Sequence, residues 1–168
     1  MKKIIVTTII FFCVTAVSFA QDKNIKLSAG LELAFPSGTL SASQSFGIGG
    51  TAQLEIPLQE KLMGVAYGGI IFFKGKSLGS GINNAGISII PVRVGVKYYL
   101  TGSVYGGFQA GLGFINRGVG TAFSYSPQLG YEFKTNSGKS IDVAFKYDGN
   151  AKSGGSFSSF GVRLAYVF

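Results

Sequence analysis

The chain contains no histidine and no tryptophan, and it has one cysteine among 168 residues. Without histidine, Ser-His-Asp, His-Asp and His-metal sites are excluded, because each depends on an imidazole that titrates near neutral pH. A Ser-Lys or paired-carboxylate site is conceivable, but no spacing in the sequence points to one, and no acidic loop suggests Ca²⁺. The sequence therefore predicts no enzyme, no catalytic residue, no cofactor and no metal site.

Charged residues and long apolar runs are also scarce. Only 13% of the residues are charged, against roughly 25% in a typical soluble domain. The mean hydropathy is nonetheless positive, at +0.36. After residue 20 no apolar run approaches the roughly 18 residues that a membrane helix needs. At 168 residues the chain has room for one domain.

The few charged residues give a formal net charge of +8. A basic excess can indicate binding to nucleic acid or to anionic lipid. Here the basic residues are scattered singly along the chain, and Lys2 and Lys3 belong to the leader described next. We therefore expect no nucleic-acid partner.

The N-terminus has the pattern of a secretory signal. Two lysines precede the apolar stretch 4–17, and Ser18 and Ala20 then place small residues at the positions that a signal peptidase reads. This pattern predicts a signal peptide over residues 1–20, cleaved after Ala20, and a mature domain over residues 21–168. An N-terminal membrane anchor is the competing interpretation.

Cys13 lies inside the predicted signal, where Phe11 and Phe12 precede it. A lipoprotein signal would place small residues before its cysteine, so Cys13 is expected to be lost with the leader. The mature domain would then have no disulfide, even though it is exported.

Eight segments of the mature domain alternate between large apolar residues and small or polar ones. Because successive side chains leave a strand on opposite sides, this period predicts eight two-faced strands. The third segment is the least regular, with an apolar face made of Met63, Val65, Tyr67, Ile71 and Phe73. The eight predicted segments are 25–35, 46–56, 62–73, 89–100, 104–115, 121–134, 141–148 and 160–168.

The connections between these segments also alternate in length. The odd-numbered connections, 36–45, 74–88, 116–120 and 149–156, are mostly longer than the even-numbered ones, 57–61, 101–103 and 135–139. Short turns on one side and longer loops on the other are typical of transmembrane barrels, and an even number of strands brings both termini to the periplasmic side. The fold class predicted is all-β: an eight-stranded, antiparallel, up-and-down transmembrane β-barrel.

Alternation alone does not say which face is inside. A secreted, soluble, lipocalin-like barrel would bury the apolar face. The other face, however, is dominated by Gly, Ser, Ala and Gln rather than by the Lys, Glu and Thr of water-facing sheets. The apolar set is also too bulky for an eight-stranded interior. We therefore expect the polar face inside, with a lumen charge network of Glu32, Glu55, Arg93, Lys97, Glu132, Lys134, Asp142, Lys146 and Arg163.

Charges of both signs in a narrow interior should pair, because an isolated buried charge is costly. Arg163 on the last strand has Glu32 on the adjoining first strand as its expected partner. Such a network is either a structural plug or a path for ions, and the narrow interior favours the plug. Aromatic residues near the strand ends are expected to face lipid at its two interfaces. They are Phe35, Phe73, Phe114, Tyr125 and Tyr147 at one interface and Tyr98, Tyr131, Phe133, Tyr166 and Phe168 at the other.

The last segment, 160–168, ends in Phe168 with Tyr166 two positions earlier. With the signal peptide and the eight alternating segments, it resembles the small bacterial outer-membrane β-barrel domain family, such as the OmpX-like and PorT-like eight-stranded barrels. The resemblance implies outer-membrane localisation in a Gram-negative bacterium, contact with outer-membrane lipid and lipopolysaccharide, and a monomer. It also implies that Tyr166 and Phe168 form the C-terminal signal read by the outer-membrane assembly machinery.

Three functions are compatible with the sequence. The first is a non-enzymatic envelope protein with a structural role or with outer loops that serve adhesion. The second is a narrow porin-like channel for ions or small solutes. The third is the secreted soluble barrel, which would bind an apolar ligand.

Overall fold

A computed structural model describes residues 25–77, 84–135 and 138–168. The predicted signal peptide, its cleavage point and Asn136 and Ser137 of the predicted 135–139 turn lie outside these residues. The strands are β1 Lys26–Ser37, β2 Gln44–Gln59, β3 Leu62–Gly75, β4 Ile87–Tyr99, β5 Val104–Ile115, β6 Gly120–Lys134, β7 Ser140–Lys152 and β8 Gly155–Val167. One short helix, α1 Thr39–Ser43, joins β1 to β2. Over the described part of the chain, no helix is both long and apolar enough to cross a membrane.

The eight strands form one closed antiparallel barrel. Each strand pairs with the next, and β1 pairs with β8, so that Glu32 lies opposite Arg163 and Ala29 opposite Tyr166. Closure leaves no strand edge with unpaired backbone N–H and C=O groups, which a bilayer would not tolerate. The predicted fold class is confirmed.

The barrel has two ends, which we call the terminal end and the loop end. The terminal end holds the start of β1, the end of β8 and the β2–β3, β4–β5 and β6–β7 connections. The loop end holds the other four connections, including α1. The predicted long loop 149–156 is wrong, because β7 and β8 pair out to Lys152 and Gly155 and leave only Ser153 and Gly154 between them. Its Gly, Ser and Lys residues suggested a loop, but strand pairing uses backbone groups that every one of them supplies.

The faces of seven strands follow the predicted alternation, but the prediction for β3 is wrong. Its large apolar residues point inward, and Met63, Val65, Tyr67, Ile71 and Phe73 are all buried. Smaller residues, Gly64, Ala66 and Gly68, alternate with them on the outer face, followed by Ile70 and Phe72. Phe73 is consequently not an interfacial aromatic, and it packs in the lumen instead.

For Ile71 and Phe73 the physical reason is that the lumen at the loop end is apolar. Seven buried residues, including Leu40 from α1, pack together there and form what we call the apolar plug: Ala34, Leu40, Ile71, Phe73, Ile89, Ile115 and Ala122. An apolar core there removes the contrast between the two faces of β3 at its loop end, so alternation could not assign Ile71 and Phe73.

Candidate functional site

Below the apolar plug, the interior of the barrel is filled by ionised side chains. Nine charged residues are buried there, and Lys26 joins them with a side chain that is 35% exposed. They comprise five cations and five carboxylates: Lys26, Arg93, Lys97, Lys146 and Arg163, with Glu32, Glu55, Glu132, Asp142 and Asp148. We call this set the polar plug. Its formal charge is zero, and this balance suits a closed low-dielectric interior.

The layer of the polar plug nearest the loop end is built around Lys146. Its Nζ lies 2.8 Å from Oε2 of Glu32 and 3.5 Å from Oδ1 of Asp148. The hydroxyl of Tyr67 donates to the same Glu32 oxygen at 2.8 Å. Arg93 forms an ion pair with Asp148 and donates from Nε to Ser124 at 2.8 Å. Side chains from five strands thus meet across the lumen at one level.

The next layer is centred on Lys97. Its ammonium lies 2.8 Å from Oε1 of Glu55 and 2.8 Å from Oδ2 of Asp142, and it stands 3.8 Å from the ring centroid of Tyr105. Tyr105 in turn donates to Oδ1 of Asp142 at 2.7 Å. Gln53 donates to Glu55 at 2.8 Å. Every group in this layer is therefore held by at least one partner on another strand or beside it.

Arg163 does not pair with Glu32, contrary to the prediction. It donates to Thr51 Oγ1 at 3.0 Å and to Ser28 Oγ at 2.9 Å, and it forms no salt bridge with any described residue. Glu32 turns instead to Lys146, which reaches it over Gly161. A Cβ at Gly161 would lie 3.1 Å from Cγ of Lys146 and 3.5 Å from Oε1 of Glu32. The missing side chain at position 161 thus leaves the room in which the two charges meet.

At the terminal end, Glu132 accepts from Lys26 at 2.8 Å and 3.1 Å and from the hydroxyl of Tyr99. Lys134 is exposed and does not belong to the polar plug, contrary to the prediction. Lys134 lies two positions after Glu132 and so on the same, inward face of β6. It is the last residue of that strand, however, and its side chain reaches solvent. Lys134 instead lines an open recess at this end together with Lys26 and Tyr99.

The structure places the other eight predicted network residues in the interior. Sequence reasoning missed Lys26, Asp148 and the phenols of Tyr67, Tyr99 and Tyr105. The alternation of the sequence could have identified Lys26 and Asp148 as lumen residues. Each lies an even number of positions from a predicted lumen residue on its own strand, and therefore on the same face.

A second glycine, Gly130, makes room for a side chain that bonds to the polar plug. A Cβ at Gly130 would lie 2.3 Å from the hydroxyl and ring of Tyr105, so the phenol occupies the space of the missing side chain. Position 130 thereby allows Tyr105 to reach Asp142.

The outer surface of the barrel is apolar. Val94 is 67% exposed, Leu31 64% and Leu164 54%, whereas the charged residues of the same strands lie inside. This distribution is the reverse of that in a water-soluble barrel, so the lipocalin-like alternative is not supported. Nine of the ten aromatic residues expected at the two interfaces face outward, with Phe73 as the exception. Among them, Tyr166 and Phe168 stack edge to face at 5.1 Å.

The chemistry available to the polar plug is that of paired ions. Among the residues described, no group of three or more Asp, Glu, Cys or His side chains comes together in the arrangement of a metal site. The carboxylates are instead held by ammonium, guanidinium and phenol groups. Such an arrangement fixes side chains across the barrel.

No protein-family description and no curated protein matches the sequence. Solved structures do match. The outer-membrane protein Ail of Yersinia pestis in a phospholipid bilayer nanodisc superposes with a TM-score of 0.60 at 11% identity, over 86% of this chain and 98% of that one. Neisserial surface protein A gives 0.60 at 11% identity, over 85% and 95%. OprG of Pseudomonas aeruginosa gives 0.55 at 12% identity, over 86% and 95%. The fold is that of the small outer-membrane β-barrels. At these identities the likeness concerns architecture alone.

Proposed function

We propose that this chain is a non-enzymatic outer-membrane barrel with a closed interior, which acts through its structure and its outer loops rather than by conducting solutes. The observation that carries the proposal is the inverted burial. The outside is apolar, whereas the inside holds nine buried charged residues, which form a neutral set of ten with the partly exposed Lys26. Outer-membrane lipid and lipopolysaccharide are the surroundings that suit such a surface.

Two features support a sealed rather than a conducting lumen. The polar plug crosses the barrel at the level of Lys97 and again at the level of Lys146. The apolar plug then covers it at the loop end, where Leu40 of α1 is only 2% exposed. An ion would have to cross both layers, and the seven side chains of the apolar plug cannot replace its hydration shell.

The remaining parts of the proposal concern export, assembly and oligomeric state. We propose a monomer that is exported by a signal over residues 1–20 and recognised by the assembly machinery through Tyr166 and Phe168. These two residues lie on the outer face of the barrel at its terminal end, next to the β1–β8 seam.

The experiment is a conductance measurement on the purified barrel in planar bilayers. We expect no reproducible current steps. Steps that change in size or selectivity with Arg93→Ala or Glu132→Ala would overturn the sealed lumen and establish the channel. Heat-modifiable migration on gels serves as the folding control for each variant.

A further inference from the structure

One residue of the apolar plug does not belong to the barrel wall. Six of the seven plug residues lie on strands: Ala34, Ile71, Phe73, Ile89, Ile115 and Ala122. The seventh, Leu40, lies on α1, in the connection between β1 and β2, and it is the one buried residue of that helix. The apolar seal at the loop end is therefore complete only while this connection is in place.

Two exposed side-chain hydrogen bonds fasten α1 to the barrel. Thr39 Oγ1 donates to Ser156 O on β8 at 2.5 Å. On the other side, Lys76 Nζ, from the β3–β4 connection, donates to Ser41 O at 2.6 Å. Exposed hydrogen bonds exchange with bonds to water, so each adds only a modest net stability. Because α1 has five residues, and a helix that short is unstable by itself in water, its position depends on these bonds and on the burial of Leu40.

The backbone has a point of irregularity on each side of α1. Gly38 precedes the helix with φ 57° and ψ −136°, a conformation that other residues rarely adopt. After the helix, the register of the β2–β3 pairing shifts between Gln44 and Gly47. Hinges are a few residues at the ends of elements that absorb changes in φ and ψ. Rotation at these two points would move α1 without breaking the regular strand pairing on either side.

We propose that α1 is a movable lid that controls access from the loop end to the apolar plug. The structure shows the closed position, in which Leu40 is packed in the plug. In the open position α1 turns about Gly38 and the irregularity that follows it, and Leu40 leaves the plug. The strand residues of the plug then face the aqueous medium at the loop end. The polar plug below them keeps its ion pairs, so opening of the lid creates no path for ions.

The test measures how often Leu40 leaves the apolar plug. Cys13 belongs to the predicted leader, so Leu40→Cys introduces the single thiol of the mature barrel. In nanodiscs of phosphatidylcholine this thiol reacts with a membrane-impermeant sulfonated maleimide only when α1 is lifted. The unfastened variant is T39V/K76M, which removes both side-chain donors and leaves the backbone bond from position 76 to Ser43 O.

A matched variant and a second reporter serve as controls. T121V/R117M removes the same hydroxyl and the same charge at the loop end, but there Arg117 donates to Gly86 O and not to α1. Ala144→Cys places the thiol in the lumen at the level of Arg163, where Ala144 is buried. It reports unfolding of the barrel, because lifting of α1 leaves that level covered.

We expect Leu40→Cys to react slowly in the otherwise unchanged barrel and about tenfold faster in T39V/K76M. The reason is that the rate follows the population of the open state, which rises when both bonds are lost. T121V/R117M should change the rate less than twofold, and Ala144→Cys should stay unreactive in every background.

Three results would overturn the lid: no acceleration in T39V/K76M, equal acceleration in T121V/R117M, or labelling of Ala144→Cys as fast as Leu40→Cys. Immediate and complete labelling of Leu40→Cys in the unchanged barrel would overturn the closed position. Labelling and conductance are measured separately, so this inference and the proposed function can fail independently.

Discussion

Lys97 is the residue whose removal tests the polar plug most sharply. Its side chain is fully buried, and its single positive charge lies 2.8 Å from both Glu55 and Asp142. Lys97→Met keeps the apolar stem and removes the charge, so that two carboxylates remain buried without their shared cation. Breaking a buried ion pair from one side costs about 3–5 kcal/mol. We expect the free energy of unfolding to fall by about that amount.

The matched variant removes the carboxylate charges as well. In Lys97→Met with Glu55→Gln and Asp142→Asn, the side-chain oxygens that accept from Gln53 and Tyr105 are retained. Since replacing a whole buried charge cluster is often close to neutral, we expect this triple variant to unfold within about 1 kcal/mol of the wild type. Lys134→Met, at an exposed site, should change the stability by less than about 0.5 kcal/mol.

The assay is urea unfolding in lipid vesicles, followed by the gel mobility of the folded barrel and by circular dichroism. Tryptophan fluorescence is not an option, because the chain has no tryptophan. A loss of less than about 1 kcal/mol for Lys97→Met, or a triple variant as unstable as the single one, would refute the reasoning that these charges depend on one another.

Three further predictions use the same unfolding assay. Val94→Arg, at the middle of the outer face, should cost about 2–4 kcal/mol if that face contacts lipid, and an unchanged stability would contradict the assigned orientation. Gly130→Ala should cost about 1–3 kcal/mol because the new methyl overlaps Tyr105. Gly106→Ala, where a Cβ meets nothing within 4 Å, is its control, and equal effects at the two sites would rule out the steric explanation. Phe73→Ala should cost about 3–5 kcal/mol as a core truncation, whereas a small effect would mean that Phe73 is not packed in the apolar plug.

The number of strands could be predicted from the sequence, and so could the inward and outward faces of most strands. Period-two alternation reports directly which side of a strand a residue occupies, and eight predicted lumen charges are buried as a result. Alternation failed where both sides are apolar, as at Phe73, because the lumen changes from polar to apolar near the loop end. It also carries no information on depth along the barrel, which is why Lys134 was assigned to the interior.

The sequence could not predict which charged residues pair with each other inside the lumen, and the reason is a different one. Glu32 and Arg163 are neighbours in the β1–β8 register, and adjacency suggested that they pair. Long side chains can cross a neighbouring strand, however, if that strand has a glycine at the crossing point. Gly161 provides that gap for Lys146, and a sequence shows such a gap only after the register is known.

The orientation of the barrel wall, with its apolar face in lipid, can be tested directly by fluorescence quenching. Cys13 is the one cysteine and belongs to the predicted leader, so a single cysteine can be introduced into the mature barrel and labelled with a fluorophore. For Val94→Cys the account predicts quenching by lipids with brominated acyl chains and protection from aqueous iodide. For Gly102→Cys, in the exposed β4–β5 turn, it predicts the opposite. Quenching of the probe at position 94 by iodide, with no effect of brominated lipid, would contradict the account.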